Sequence, residues 1–92
     1  MNPYDELPYW AFPIECTAPE RLAAVSLLNG GPRLDAGSCR MLEIGCANGA
    51  NLLPLAWYRR GCQFVGLDHS AEQVAQAEAD RQALQLNNLA FD

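Results

Sequence analysis

Apolar and polar residues follow one another along this chain in blocks whose period changes. Leu22, Val25 and Leu27 recur at helical spacing. Thr17-Ala18-Pro19-Glu20 just ahead of them reads as a helix start, with Thr17 as the cap, Pro19 in the first turn and Glu20 completing a capping box. Gly30-Gly31-Pro32 ends that helix. Cys39 to Ile44 is an apolar run bounded by Gly37 and Gly45, and its length and flanks favour a strand. Asn51 to Arg60 reads as a second helix, with Pro54 tolerated in its first turn and Gly61 as its stop. Cys62 to Leu67 is a second strand, and Asp68 stands at its end. Ser70-Ala71-Glu72-Gln73 is another capping box. The helix it opens runs to about Leu86, with Ala71, Val74, Ala75, Ala79 and Leu86 near one face. Asn87-Asn88 breaks it, and Leu89-Ala90-Phe91 begins a third strand.

Strands alternating with helices predict an α/β fold with right-handed crossovers and a parallel sheet. Ahead of it, residues 1–16 contain Pro3, Pro8 and Pro13, which obstruct regular structure. They also contain Tyr4, Tyr9, Trp10 and Phe12, unlike a disordered tail. The chain therefore divides into an ordered arm, 1–16, and a partial domain, 17–92.

Composition narrows the partners. Ninety-two residues make at most one small domain. Six basic residues against eleven acidic ones give a net charge of −5, and there is no lysine. Nucleic acid is therefore not expected as a partner, because phosphate backbones are met by clustered Lys and Arg. Arg59-Arg60 sits where a helix should end and suits the helix dipole better than a binding patch. Cys16, Cys39, Cys46 and Cys62 show no C-x-x-C spacing, and with His69 as the sole imidazole no metal site is expected. Free thiols at predicted strand starts suggest a reducing, cytoplasmic compartment. The N-terminus lacks the pattern of a signal peptide. No apolar stretch approaches the ~18–20 residues of a membrane span, so no membrane partner is expected.

Candidate chemistry gathers where a parallel sheet binds ligands, at the carboxyl ends of its strands. Gly45-Cys46-Ala47-Asn48-Gly49 joins the first strand to its helix, and Asp68 ends the second strand. Either feature alone fits any α/β turn. Together they predict a nucleotide or nucleoside site, with Asp68 accepting the two ribose hydroxyls. Glu43, two residues before Gly45, would repel a pyrophosphate but attract an ammonium or sulfonium. That favours S-adenosyl-L-methionine over a dinucleotide. Pairing of Glu43 with Arg40 or a helix N-terminus is the structural alternative.

Met41-Leu42-Glu43-Ile44-Gly45-Cys46-Ala47-Asn48-Gly49 resembles motif I of class I S-adenosylmethionine-dependent methyltransferases. Phe64-Val65-Gly66-Leu67-Asp68-His69-Ser70 resembles the acidic strand that follows it. Ala47 stands where the family usually has a third glycine. The arm, from Tyr4-Asp5-Glu6-Leu7-Pro8-Tyr9 onward, is similar to a bacterial subgroup whose methyltransferase domain precedes a methyltransferase regulatory domain. The resemblance implies a Rossmann-like fold in which the loop Gly45, Cys46, Ala47, Asn48, Gly49 contacts the methionine portion. It further implies that Glu43 orients that portion, that Asp68 binds the ribose and that His69 lies near the adenine. His69 facing solvent, and Tyr4 or Tyr9 either lining the pocket or packing at its rim, are left open.

The family's sheet has seven strands, and this chain supplies two and the start of a third. It is thus expected to be the cofactor-binding front of a methyltransferase, a natural fragment or a truncated form, with its methyl acceptor and catalytic residues unassigned. Alone it is expected to be inactive. The outer edge of the first strand invites self-association. A non-catalytic adenosine-ligand-binding or oligomerising module, and a fragment of an NAD-dependent oxidoreductase, are the alternatives.

Overall fold

The computed structural model describes residues 12–92. Tyr4 and Tyr9 of the expected arm lie outside the described residues. A 3-10 turn at Glu15–Thr17 leads into helix α1, Pro19–Leu28. Strand β1, Arg40–Ile44, helix α2, Leu52–Tyr58, and strand β2, Gln63–Leu67, form one strand–helix–strand unit. Helix α3, Ala71–Ala83, and strand β3, Leu89–Phe91, form a second that shares β2. All pairings are parallel, in the order β1-β2-β3. Arg40 pairs with Gln63, and Phe64 with Leu89. The α/β expectation holds, and the helix and strand bounds differ from it by a few residues.

Strand order that follows chain order puts successive right-handed crossovers on the same side of the sheet. That side is the core: Phe64 and Gly66 of β2 and Leu89 of β3 meet Leu52, Leu55 and Ala56 of α2. The other side is open among the described residues. Leu42 is 56% exposed and Ile44 81%. The period-2 alternation of β1 and β2 records this directly, since a side chain and its neighbour face opposite ways.

The helix ends are closed by recognisable devices. Gly30, at φ 73°, donates its amide to Leu27, and Gly31 donates to Ser26, the two bonds of a Schellman motif. The expected glycine stop is thus realised. Helix α3 ends the same way, but on Gln85 at φ 56°. Gln85 donates to Gln82 and Leu86 to Arg81. The turn drops the buried Leu86 into the core, which is why the helix stops at Ala83 rather than near Leu86. Asn88, expected only as a breaker, is buried and clamps the end of α2, its Nδ2 donating to the carbonyls of Ala56 and Arg59.

Three expectations need correction. Thr17 does not cap α1; the cap residue is Ala18, and the Thr17 hydroxyl donates to the Ile14 carbonyl within the 3-10 turn. Glu20 is drawn away from the would-be box to a two-pronged pair with Arg59, at 2.7 and 2.8 Å. The apolar positions of α1 are not core: Leu22, Val25 and Leu27 are exposed, and only Pro19 of this helix is buried. On α3 the buried stripe centres on Ala77, flanked by half-buried Val74 and Arg81, while Ala71, Ala75 and Ala79 face outward. A methyl group at 77 is what lets the helix approach the glycine loop closely.

Candidate functional site

The carboxyl ends of β1 and β2 lie side by side because Ile44 pairs with Leu67. Each next residue, Gly45 and Asp68, therefore begins a loop on the same edge. Gly45 takes φ 81° and Gly49 φ 82°, both in the left-handed region that glycine tolerates. The two differ in surroundings. Among the described residues a Cβ on Gly45 would meet nothing within 4 Å, which leaves this side of the loop room for a ligand. A Cβ on Gly49 would come within 2.8 Å of the Phe91 ring and 3.2 Å of Ala77. Gly49 is there for packing. Ala47 adopts φ 52° without being a glycine.

The loop's own amides are largely spent. Gly45 and Cys46 both donate to the Leu67 carbonyl, at 2.7 and 2.9 Å. Gly49 donates to Cys46. Ala47 donates to Oδ2 of Asp68 at 2.8 Å. Four of the five amide hydrogens from Gly45 to Gly49 thus end on protein acceptors. A pyrophosphate needs such hydrogens pointed at it.

Asp68 serves two loops at once. Its Oδ1 accepts from the Ser70 amide at 2.9 Å while Oδ2 holds Ala47. Ser70 in turn accepts from the Gln73 amide, capping α3. The capping box is therefore half of the expected one, with the Asp68 carboxylate at the Ser70 amide in place of Gln73. A carboxylate oxygen has two acceptor directions, so each oxygen keeps one for a hydroxyl.

Glu43 is half-buried on the helix-covered face of β1. It does not pair with Arg40; its Oε2 accepts from Nδ2 of Asn51, the residue at the N-cap of α2, at 2.7 Å. Asn51 is buried and also meets Thr17 and the Ile14 amide. Sequence reasoning missed this residue, whose available signal was an Asn just ahead of an apolar helix, which reads as an ordinary cap.

The remaining candidates divide by exposure. The Cys46 side chain is buried against Gly66, so only its backbone faces the loop's open side. Burial, reinforced by the charges of Asp68 and Glu43, pushes its thiol pKa up to about 11, which keeps it a neutral core group. Asn48 is half-buried and turns its Oδ1 back to the Ala50 amide at 3.2 Å. His69 is exposed beside Asp68. Glu43, Gly45, Ala47 and Asp68 are thus on one edge, with Cys46 and Gly49 beneath them. At the opposite end of β1, an open cavity of about 380 Å³ is lined by Pro19, Leu22, Leu34 and Arg40. Cys39 and Cys62 meet at that end, Sγ to Sγ 3.2 Å, as free thiols. No helix among the described residues is long and apolar enough to cross a membrane.

Comparison with known proteins places this geometry. Residues 35–92 match the sequence pattern of a methyltransferase domain. The chain is 39% identical over 90 residues to RP789, an uncharacterized protein of Rickettsia prowazekii, covering 98% of this chain and 16% of that one. Over 50 residues it is 46% identical to a tRNA (guanine-N(7)-)-methyltransferase of Prochlorococcus marinus, covering 54% of this chain and 21% of that one. PKMT2 from Rickettsia typhi in complex with AdoHcy superposes with a TM-score of 0.80 at 30% identity, over 92% of this chain and 17% of the other. The chain thus spans about a sixth of the length of RP789 and of PKMT2. Matching pattern, shared fold and glycine loop agree: the chain belongs to the methyltransferase domain family, in its class I, S-adenosylmethionine-dependent branch.

Proposed function

We propose that this chain forms the methyl-donor site of an S-adenosylmethionine-dependent methyltransferase. The observation that carries the reading is the pairing of a glycine loop whose amides are internally satisfied with a carboxylate, Glu43, on the strand just before it. A phosphate ligand would find few donors and a repelling charge. A ligand with an ammonium and a sulfonium, and no phosphate, fits both features. The AdoHcy bound by PKMT2 supports the same choice.

S-adenosylmethionine, when bound, supplies an electrophilic methyl group on a sulfonium. The chain's own residues hold and orient it. Glu43 fixes the α-ammonium, directly or through water. The open face of Gly45, with the backbone of Cys46, Ala47 and Asn48, lies along the methionine portion, and Gly49 lets the loop sit tightly against Phe91 and Ala77. Asp68 takes the ribose hydroxyls on its remaining acceptor directions, and exposed His69 borders the adenine. Orientation of this kind serves a reaction whose rate depends on in-line geometry. Methyl transfer to an acceptor is proposed for a longer polypeptide of the RP789 kind. A cytoplasmic location accords with four free cysteines, two of them in contact. Self-association through the outer edge of β1 accords with the exposure of Leu42 and Ile44 beside it.

Calorimetry with S-adenosylhomocysteine and NAD tests the assignment. Binding of the first and not the second is expected, with Glu43→Ala weakening it about tenfold or more, the order of one charge-assisted contact. NAD binding without S-adenosylhomocysteine binding would overturn it.

A further inference from the structure

Asn51 joins the start of α2 to the end of β1 and to the segment from Ile14 to Thr17, which is distant in sequence. Its Nδ2 donates to Oε2 of Glu43 at 2.7 Å and to Oγ1 of Thr17 at 2.9 Å. Its Oδ1 accepts from the Ile14 amide at 2.7 Å. The Thr17 hydroxyl has one proton, and the Ile14 carbonyl takes it at 2.8 Å, so toward Asn51 this hydroxyl acts as acceptor. Both amide hydrogens of Asn51 are therefore used, and its side chain is buried with every group partnered.

The direction of the Asn51 amide is set by charge. An ionised carboxylate only accepts, so the nitrogen must face Glu43. The oxygen is then turned to Ile14, whose amide has no alternative acceptor in the 3-10 turn that it precedes. Rotating the amide by half a turn would set its oxygen against the Glu43 carboxylate and its hydrogens against the Ile14 amide.

We infer that Asn51 is a positioning residue that couples the segment from Ile14 to Thr17 to the methyl-donor site through the Glu43–Asn51–Ile14 chain of hydrogen bonds. The inference rests on the donor-site reading for its ligand, and on geometry alone for the chain of bonds. Docking of the segment fixes the Glu43 carboxylate in place, and a cation held by Glu43 stiffens the segment in return, because coupling between two sites is reciprocal. The segment is thereby tied to the group that would meet the α-ammonium, and not to the ribose side at Asp68.

Amide hydrogen exchange at Ile14, followed by NMR in the 92-residue chain, tests this, with the Phe64 amide in the sheet as control for global opening. Asn51→Ala is expected to speed Ile14 exchange about tenfold, the loss of one buried hydrogen bond. Glu43→Ala is expected to do the same although Glu43 does not touch Ile14, and Glu43→Gln, whose remaining carbonyl oxygen can still accept from Asn51, to do so to a smaller extent. The double substitution Asn51→Ala with Glu43→Ala should add nothing further. Wild-type exchange at Ile14 in both Glu43 variants would mean that Asn51 is merely structural, and would sink the inference. S-adenosylhomocysteine should slow Ile14 exchange, while 5′-methylthioadenosine, which lacks the amino-acid portion, should not. Equal slowing by both, or binding of S-adenosylhomocysteine with no change at Ile14, refutes the coupling. Failure of both ligands to bind overturns the donor-site reading instead, and the Glu43 variants still decide the relay.

Discussion

The Asp68 carboxylate and the Ala47 amide, 21 residues apart, meet at 2.8 Å across the ends of β1 and β2. The contact fastens the glycine loop to the entrance of α3, because the same carboxylate also holds Ser70. Asp68→Ala leaves two amides without their acceptor. A loss of roughly 2–3 kcal/mol is expected, given the usual worth of hydrogen bonds to a charged group. Asp68→Asn, which can accept from only one amide through its single carbonyl oxygen, should fall between. Urea denaturation checks this: the midpoint should drop in that order with the slope unchanged.

Ala47 sits at φ 52°, a conformation that costs a side-chain-bearing residue about 1–2 kcal/mol. Glycine removes that cost but adds freedom to the unfolded chain, which offsets about half of it. Ala47→Gly should therefore stabilise the protein by roughly 0.5–1 kcal/mol. A thermal melt that moves downward would show that the methyl group makes a contact worth more than the strain.

Gly49 and Phe91 test whether the loop's last glycine is there for packing. Gly49→Ala brings a methyl group to within 2.8 Å of the Phe91 ring, at a φ of 82°. Destabilisation by about 2–4 kcal/mol is expected from overpacking and strain together. Adding Phe91→Leu should recover part of it. If the double variant is no more stable than Gly49→Ala alone, the ring is not the obstacle.

The Glu20–Arg59 pair gives a pH signature. The Arg59 hydrogen bonds hold the Glu20 carboxyl below its ordinary value of 4.5. A carboxyl lowered in the folded state stabilises above its unfolded value and loses that contribution as pH falls through the folded one. The Glu20 side chain is 55% exposed, so solvent screening keeps the worth of the pair under about 1 kcal/mol. Glu20→Gln should therefore cost a little at pH 7 and nothing once pH has dropped well below 4.5. A difference that persists undiminished in acid would mean that Glu20 contributes by packing.

Much of the fold was legible because its signals were local. Short apolar runs with glycine at their flanks marked β1 and β2, and Gly30 and Ser70 marked helix ends where the structure puts them. The placement of Gly45 and Asp68 on one edge was legible because strand pairing brings them together whenever the two strands are neighbours. What escaped was tertiary. Nothing local says that Glu20 prefers Arg59, 39 residues away, to its own helix cap. Nothing local says that Asn51 bonds Glu43 rather than its own helix, or that the apolar positions of α1 stay exposed. Gln85 in a left-handed turn escaped because that position is more often glycine.

The sheet's neighbour-to-neighbour order has a kinetic consequence. Arg40 finds Gln63 after 23 residues, and Phe64 finds Leu89 after 25. Among the described residues each strand pairs with the next one in the chain, so each crossover closes a short loop and the next is laid on a surface already formed. As the chain leaves the ribosome, the glycine loop and its Asp68 anchor are assembled as soon as the second strand and the start of the helix after it have emerged. The open face bearing Leu42 and Ile44 is then a finished, sticky surface while synthesis continues.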